Sequence, residues 1–148
     1  MEYEKVGKNP VLIKGALVAA ENGTDRRDLL IANGKIADAG RIDPPEGART
    51  IDARGLVALP GAVDSHVHFF MPTANGKRNA DDFFAGSKCA VCGGTTSVVD
   101  FASPISGGSW TGGVNVRRAE ADGSVFCDYG LHMEVTGAFR QDVAKLGE

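Results

Sequence analysis

Beyond Pro60-Gly61 the chain settles into an alternating order of apolar β-type runs and helical stretches, an order that a parallel sheet flanked by helices accommodates. Residues 56–70 form a nearly continuous apolar run, as expected of a strand buried on both faces. Asn79-Ala80-Asp81-Asp82 then supplies a helix start, with carboxylates near the positive end of the helix dipole. Phe83, Phe84, Ser87, Ala90 and Val91 follow at helical spacing until Gly93-Gly94 stops the helix. A β-branched strand is predicted over 95–102, a second helix over 109–121, a third strand over 125–135 and a third helix over 138–146. That makes at most three βα units, whereas a closed parallel barrel needs eight and typically about 250 residues. A parallel strand left at the end of such a sheet exposes unpaired backbone groups. The expectation is therefore a portion of a longer protein, or a chain that pairs with others.

The segment before Pro60 reads differently. Short β-type runs at 11–13, 16–19, 29–32, 35–37 and 57–59 are separated by turn residues. Asn22-Gly23 and Asn33-Gly34 mark two turns, and Asn-Gly suits the two positive φ angles of a type I′ hairpin. Asn22-Gly23-Thr24 also matches a glycosylation sequon, but the turn is the simpler reading in a chain with no visible export signal. The predicted organisation is α/β, with a β-sandwich segment over 1–58 followed by the first βα units of a (β/α)8 barrel over 59–148.

Composition removes several function classes. With 43% hydrophobic and 24% charged residues and a net charge of -3, the chain has the balance of a soluble globular protein. It lacks the basic patches that recognise nucleic acid or an acidic lipid surface. The first nine residues carry no apolar core of a signal peptide, and no run reaches the length of a membrane span, so a cytoplasmic location is expected. Cys89, Cys92 and Cys127 are too few for a disulfide framework. Twenty glycines among 148 residues imply frequent tight turns.

Chemistry concentrates in Asp64-Ser65-His66-Val67-His68. Residues two apart on an extended segment share a face, so His66 and His68 can aim both imidazoles at one metal ion from the C-terminal end of a barrel strand. His-x-His alone is unspecific; its place after Pro-Gly, on the first strand of a parallel sheet that follows a β segment, is what singles it out. Asp64 shares that face, and could accept from a ligating imidazole or be satisfied by backbone amides. Asp100 and His132 read better as structural strand residues than as ligands. Cys89 and Cys92 have CxxC spacing but no second pair, and fit small-residue packing on a helix. Asp81-Asp82 reads as helix capping. Gly93-Gly94 closes a helix and Gly107-Gly108 lacks a following Lys-Ser/Thr, so no phosphate loop is present.

In these strings the sequence resembles the amidohydrolase superfamily, and within it the dihydropyrimidinase and hydantoinase family. The resemblance runs from Asp28-Leu-Leu-Ile-Ala-Asn-Gly-Lys-Ile-Ala and Ile51-Asp-Ala-Arg-Gly-Leu-Val-Ala-Leu-Pro-Gly, through His68-Phe-Phe-Met-Pro72, Asp81-Asp82-Phe83 with Gly86, and Gly93-Gly-Thr-Thr96 with Val99-Asp-Phe101, to Asp128-Tyr129 with His132. It implies two divalent ions, usually zinc, at the barrel mouth, with His66 and His68 as the first two ligands. It also implies that a carboxylated bridging lysine, two more histidines and a catalytic aspartate come from later strands, leaving no catalytic residue within this chain. Neither Lys88 nor Lys145 stands in the lysine's context. The implied reaction is metal-dependent ring opening of a small cyclic amide, and the implied assembly is a homo-oligomer, commonly a tetramer. Related dihydroorotases carry an arginine two residues after the second histidine to grip a substrate carboxylate. Here that place is Phe70, which favours a neutral ring such as dihydrouracil or a hydantoin, with allantoin as an alternative. A non-catalytic scaffold of the same family is the competing class, opposed by the intact histidine pair.

Overall fold

In a computed structural model, residues 9–73, 75–104 and 110–135 are described. The chain divides into two compact units, Met1–Pro60 and Gly61–Glu148. The third helix expected over 138–146 lies outside the described residues.

The first unit is a five-stranded sheet. Strands β1 (Val11–Ala20), β2 (Gly23–Ala32), β3 (Lys35–Gly40) and β4 (Arg49–Asp52) lie in the order β3-β2-β1-β4, and β5 (Val57–Ala58) also pairs with β1. The runs at 11–13 and 16–19 are one strand, interrupted by a register shift between Ile13 and Ala16, where Gly15 takes a φ of 76°. That single strand accounts for both runs: a bulge breaks the side-chain alternation without ending the ladder. The β2–β3 hairpin turns through Asn33 and Gly34, whose φ angles of 53° and 72° are the two positive values that the Asn-Gly pair predicts. At the first hairpin the loop residues are Glu21 and Asn22, and Gly23 already pairs with Ala20.

Leu12, Leu30 and Ile42 form the buried cluster of this unit. Beside them sits one buried carboxylate. Asp28 Oδ1 accepts from the Gly15 amide at 2.8 Å and Oδ2 from the Ile42 amide at 3.0 Å, so one side chain fixes both the β1 bulge and the segment after β3. The Ile42 amide, followed by the Gly15 amide and the charges of Lys14 and Arg41, outweighs burial and holds the Asp28 carboxyl below the usual aspartate range. A lowered folded value means stability that is present above the unfolded value and lost as pH falls through the folded one. Asp28→Ala should therefore destabilise this unit by about 1–3 kcal/mol at neutral pH, the cost of orphaning buried donors. The gap between parent and variant in chemical denaturation should shrink below about pH 4, near the ordinary aspartate value. A gap independent of pH would show that the charge is immaterial.

The second unit runs β6 (Ala62–Asp64), α1 (Phe83–Cys92), β7 (Thr95–Ala102), α2 (Trp110–Ala121) and β8 (Asp128–Met133). Its sheet has the order β6-β7-β8, parallel throughout, with α1 and α2 packed on β7. Helix α1 begins where the carboxylates predict: Asp82 is the N-cap and its Oδ1 accepts from the Ala85 amide at 2.7 Å. Gly93 caps its C-terminus, and Gly94, at a φ of 90°, turns the chain into β7. On β7, Val98, Asp100 and Ala102 are buried, so the strand's alternation sends Asp100 to one face and Phe101 to the other.

Two expectations need correcting here. Residues 56–70 are not one strand buried on both faces: β5 has two residues and β6 three, and Leu59 and Val63 are exposed. The physical reason is local. Pro60 has no amide to donate, and among the described residues β6 has a hydrogen-bonded neighbour on one side only, β7. The third strand is also shorter than the predicted 125–135, because Phe126 is held outside the sheet by the Ser87 hydroxyl, which accepts its amide proton at 3.1 Å.

Candidate metal centre

His66 and His68 follow β6 in a segment that is not part of the strand. It is nonetheless tied to β7, because the Val67 amide donates to the Val99 carbonyl at 3.0 Å. The residue between the histidines thus faces the sheet edge, and the imidazoles on either side of it converge. Their Nε2 atoms lie 3.2 Å apart, the rings meet edge to face with centroids 5.0 Å apart, and both side chains are exposed.

That spacing is a test of whether the pair fits an ion. Zinc–nitrogen bonds of about 2.0–2.1 Å at a tetrahedral angle place two ligand nitrogens roughly 3.3 Å apart. Without an ion, two ring nitrogens at this distance share one proton in an N–H···N hydrogen bond, and a divalent ion between them would take that proton's place. His68 is set up to ligate: the Met71 sulfur, 2.9 Å from Nδ1, can only accept, so this contact calls for the ring proton on Nδ1 and leaves Nε2 free. The residues present fit a divalent ion as half of a site. Among the described residues no group of three or more His, Cys, Asp or Glu side chains could hold a metal.

Asp64 is placed differently from a partner of an imidazole. Its Oδ1 accepts from the His66 backbone amide at 3.1 Å, so in this structure it orders the main chain of the first histidine. His132 comes from β8; its Nε2 lies 3.2 Å from the Ser65 carbonyl oxygen, which it meets as donor. All three histidine rings pack around Phe101, at centroid distances of 4.5 Å for His66, 4.9 Å for His68 and 5.2 Å for His132. Cys89 and Cys92 are exposed, unpaired thiols on α1.

Several participants escaped the sequence reading. Phe101 is the apolar floor under the histidines, and strict alternation from buried Val98 and Asp100 could have revealed it. Arg117 is buried within α2 between Gly113 and Ala121, at i, i+4 and i+8. A lone cation on an otherwise small-residue face was the available signal, since such a charge requires a buried partner. That partner is Asp100, fully buried, with Arg117 Nη2 2.7 Å from its Oδ2. The guanidinium also stacks over the Phe83 ring, 4.6 Å from its centroid.

Phe70 adopts a φ of 51°, unusual for a bulky residue and typical of backbone held by its surroundings at functional sites. The Arg78 guanidinium lies over its ring at 4.4 Å, donates to the Phe70 carbonyl at 2.7 Å and pairs with Glu120 at 3.4 Å. That cation is already matched by a carboxylate. Phe69 fills a notch over α1: a Cβ on Gly86 would stand 2.2 Å from its ring, so any larger residue requires the ring to shift. Gly86→Ala should push the Phe69 ring aside at a cost of about 1–3 kcal/mol, as overpacking does. Thermal denaturation would measure it, and an unchanged midpoint would mean that the notch yields freely.

No family model matches the chain. Among reviewed proteins it is 38% identical over 136 residues to dihydropyrimidinase 2 of Caenorhabditis briggsae, covering 91% of this chain and 26% of that protein. It is 39% identical over 127 residues to dihydropyrimidinase-related protein 5 of Rattus norvegicus, covering 85% of this chain and 22% of that one. Among solved structures, D-hydantoinase from Bacillus sp. AR9 superposes with a TM-score of 0.84 at 35% identity, over 93% of this chain and 30% of that one. The chain spans about a quarter of the length of the curated relatives it matches.

Proposed function

Because the chain is homologous to the N-terminal portion of the dihydropyrimidinase and hydantoinase family, we propose that it supplies the first two metal ligands, His66 and His68, of a hydrolase that opens small cyclic amides. The observation that carries this reading is the convergence of two exposed Nε2 atoms at 3.2 Å, a separation suited to one shared divalent ion. On this reading the five-stranded sheet belongs to a β-sandwich, and the β6-β7-β8 layer is the opening of a (β/α)8 barrel whose strand C-terminal ends carry the chemistry. Two zinc ions per complete site, a homo-oligomeric and commonly tetrameric assembly, and a cytoplasmic location belong to the same proposal.

Bound divalent ions in such a site polarise an amide carbonyl and make hydroxide available near neutral pH. This chain's own share is to present and orient ligands. The proton that His68 directs at Met71 keeps Nε2 available, Asp64 holds the His66 main chain, and Phe101 shields the inner side of both rings from water. Phe70, standing where dihydroorotase-like relatives carry a cation, favours an uncharged ring such as a dihydropyrimidine or hydantoin. No helix among the described residues is long and apolar enough to cross a membrane.

The test uses the full-length protein. Near-stoichiometric divalent metal and hydrolysis of dihydrouracil or hydantoin are expected. Absence of both would remove the proposal in favour of a non-catalytic relative, a class that sequence identity alone does not separate from the enzymes.

A further inference from the structure

The two peptide groups that follow His68 have every polar atom engaged by a specific partner. In the His68–Phe69 peptide, the carbonyl accepts from Asn79 Nδ2 at 2.7 Å and the N–H donates to Asp100 Oδ2 at 3.0 Å. In the Phe69–Phe70 peptide, the carbonyl accepts from Arg117 Nη2 at 2.7 Å and the N–H donates to the Asp81 carbonyl at 2.7 Å. Asp100 and Arg117 close the arrangement by pairing with each other, and Arg117 Nε anchors the whole to the Phe101 carbonyl at 3.0 Å.

We propose that Asp100, Arg117 and Asn79 are positioning residues for His68, a reading that rests on the metal-site proposal above. Three features argue for this over a purely stabilising role. A buried ion pair is a poor source of net stability, since a well-packed apolar pair in its place is often neutral or better. What the pair supplies that an apolar one does not is directional donors and acceptors, and these go to the peptides next to the ligand. Those peptides also lead into the left-handed Phe70, so the clamps fix a backbone path that the chain would not adopt unaided. Fixing the main chain on the C-terminal side of His68 fixes the direction of its Cα–Cβ bond. Met71, reached through the same turn, then meets Nδ1. Each clamp comes from a different element, β7, α2 and the loop before α1, so the alignment of His68 depends on the packing of this whole unit.

The experiment compares full-length protein with Arg117→Lys, Asp100→Asn and Asn79→Ala after metal removal. Cobalt(II) is titrated in competition with a chelator, its visible absorption is recorded, and thermal denaturation of the metal-free forms reports folding. Lysine keeps the charge but cannot bridge Asp100, Phe69 and Phe101 as a planar fork does. Each folded variant should bind cobalt about 10-fold or more weakly, as outer partners of ligands typically do when removed, and shift its absorption bands. Asn79, on a loop, is the variant whose folding depends least on its side chain, so the comparison does not hinge on the buried pair. Folded variants that bind within about twofold of the parent would overturn the positioning role. His68→Ala separates the two levels of the argument: undiminished cobalt binding there would defeat the metal-site reading itself.

Discussion

Replacing His66 or His68 with alanine in the full-length protein is expected to abolish tight metal binding and ring opening together. The loss should exceed the roughly 10–100-fold that follows removal of an outer partner of a ligand, because a donor atom itself is deleted. Metal-free stability should move by no more than about 0.5 kcal/mol, as for other exposed substitutions. Both rings are exposed, so deleting one removes only a solvent-accessible Nε2–Nε2 contact of 3.2 Å and a contact with Phe101. Elemental analysis alongside thermal denaturation reads both quantities. Full metal occupancy in either variant would show that the pair is not the ligand set.

The second large effect concerns stability. Arg117→Met should destabilise the protein by about 3–5 kcal/mol, because it strands the carboxylate of Asp100, which is 0% exposed, without its charge partner. The long apolar side chain can keep some of the packing over Phe83, so the penalty reports mainly on the orphaned charge. Adding Asp100→Leu to Arg117→Met should recover much of the loss by removing that charge. Denaturant titration of the single and double variants decides the matter: a double variant as unstable as the sum of the singles would argue against a coupled pair.

Much of the fold was legible because local chemistry specified it. The Asn33-Gly34 hairpin was readable since few other pairs tolerate two positive φ angles. The start of α1 at Asp82 and its stop at Gly93-Gly94 followed from capping, and β7 occupies the predicted residues 95–102, its β-branched run beginning directly after those glycines. The 56–70 run misled for a related reason. Hydrophobicity records what a segment can bury, whereas a strand requires a neighbour for each backbone edge, and Pro60 and the one edge of β6 that is paired among the described residues cut it short.

The amino-acid order by itself determined the pair of histidines two apart, the β-to-α/β change at Pro60-Gly61 and the family likeness those strings carry. Only the tertiary structure decided which atoms meet: Nε2 of His66 with Nε2 of His68, Asp64 with a main-chain amide, and Asp100 with an arginine 17 residues away that clamps Phe69. The division has a physical cause. Turn, cap and alternation preferences act over a few residues and are written in adjacent positions, while the partner of a buried charge is chosen by packing between elements distant in sequence.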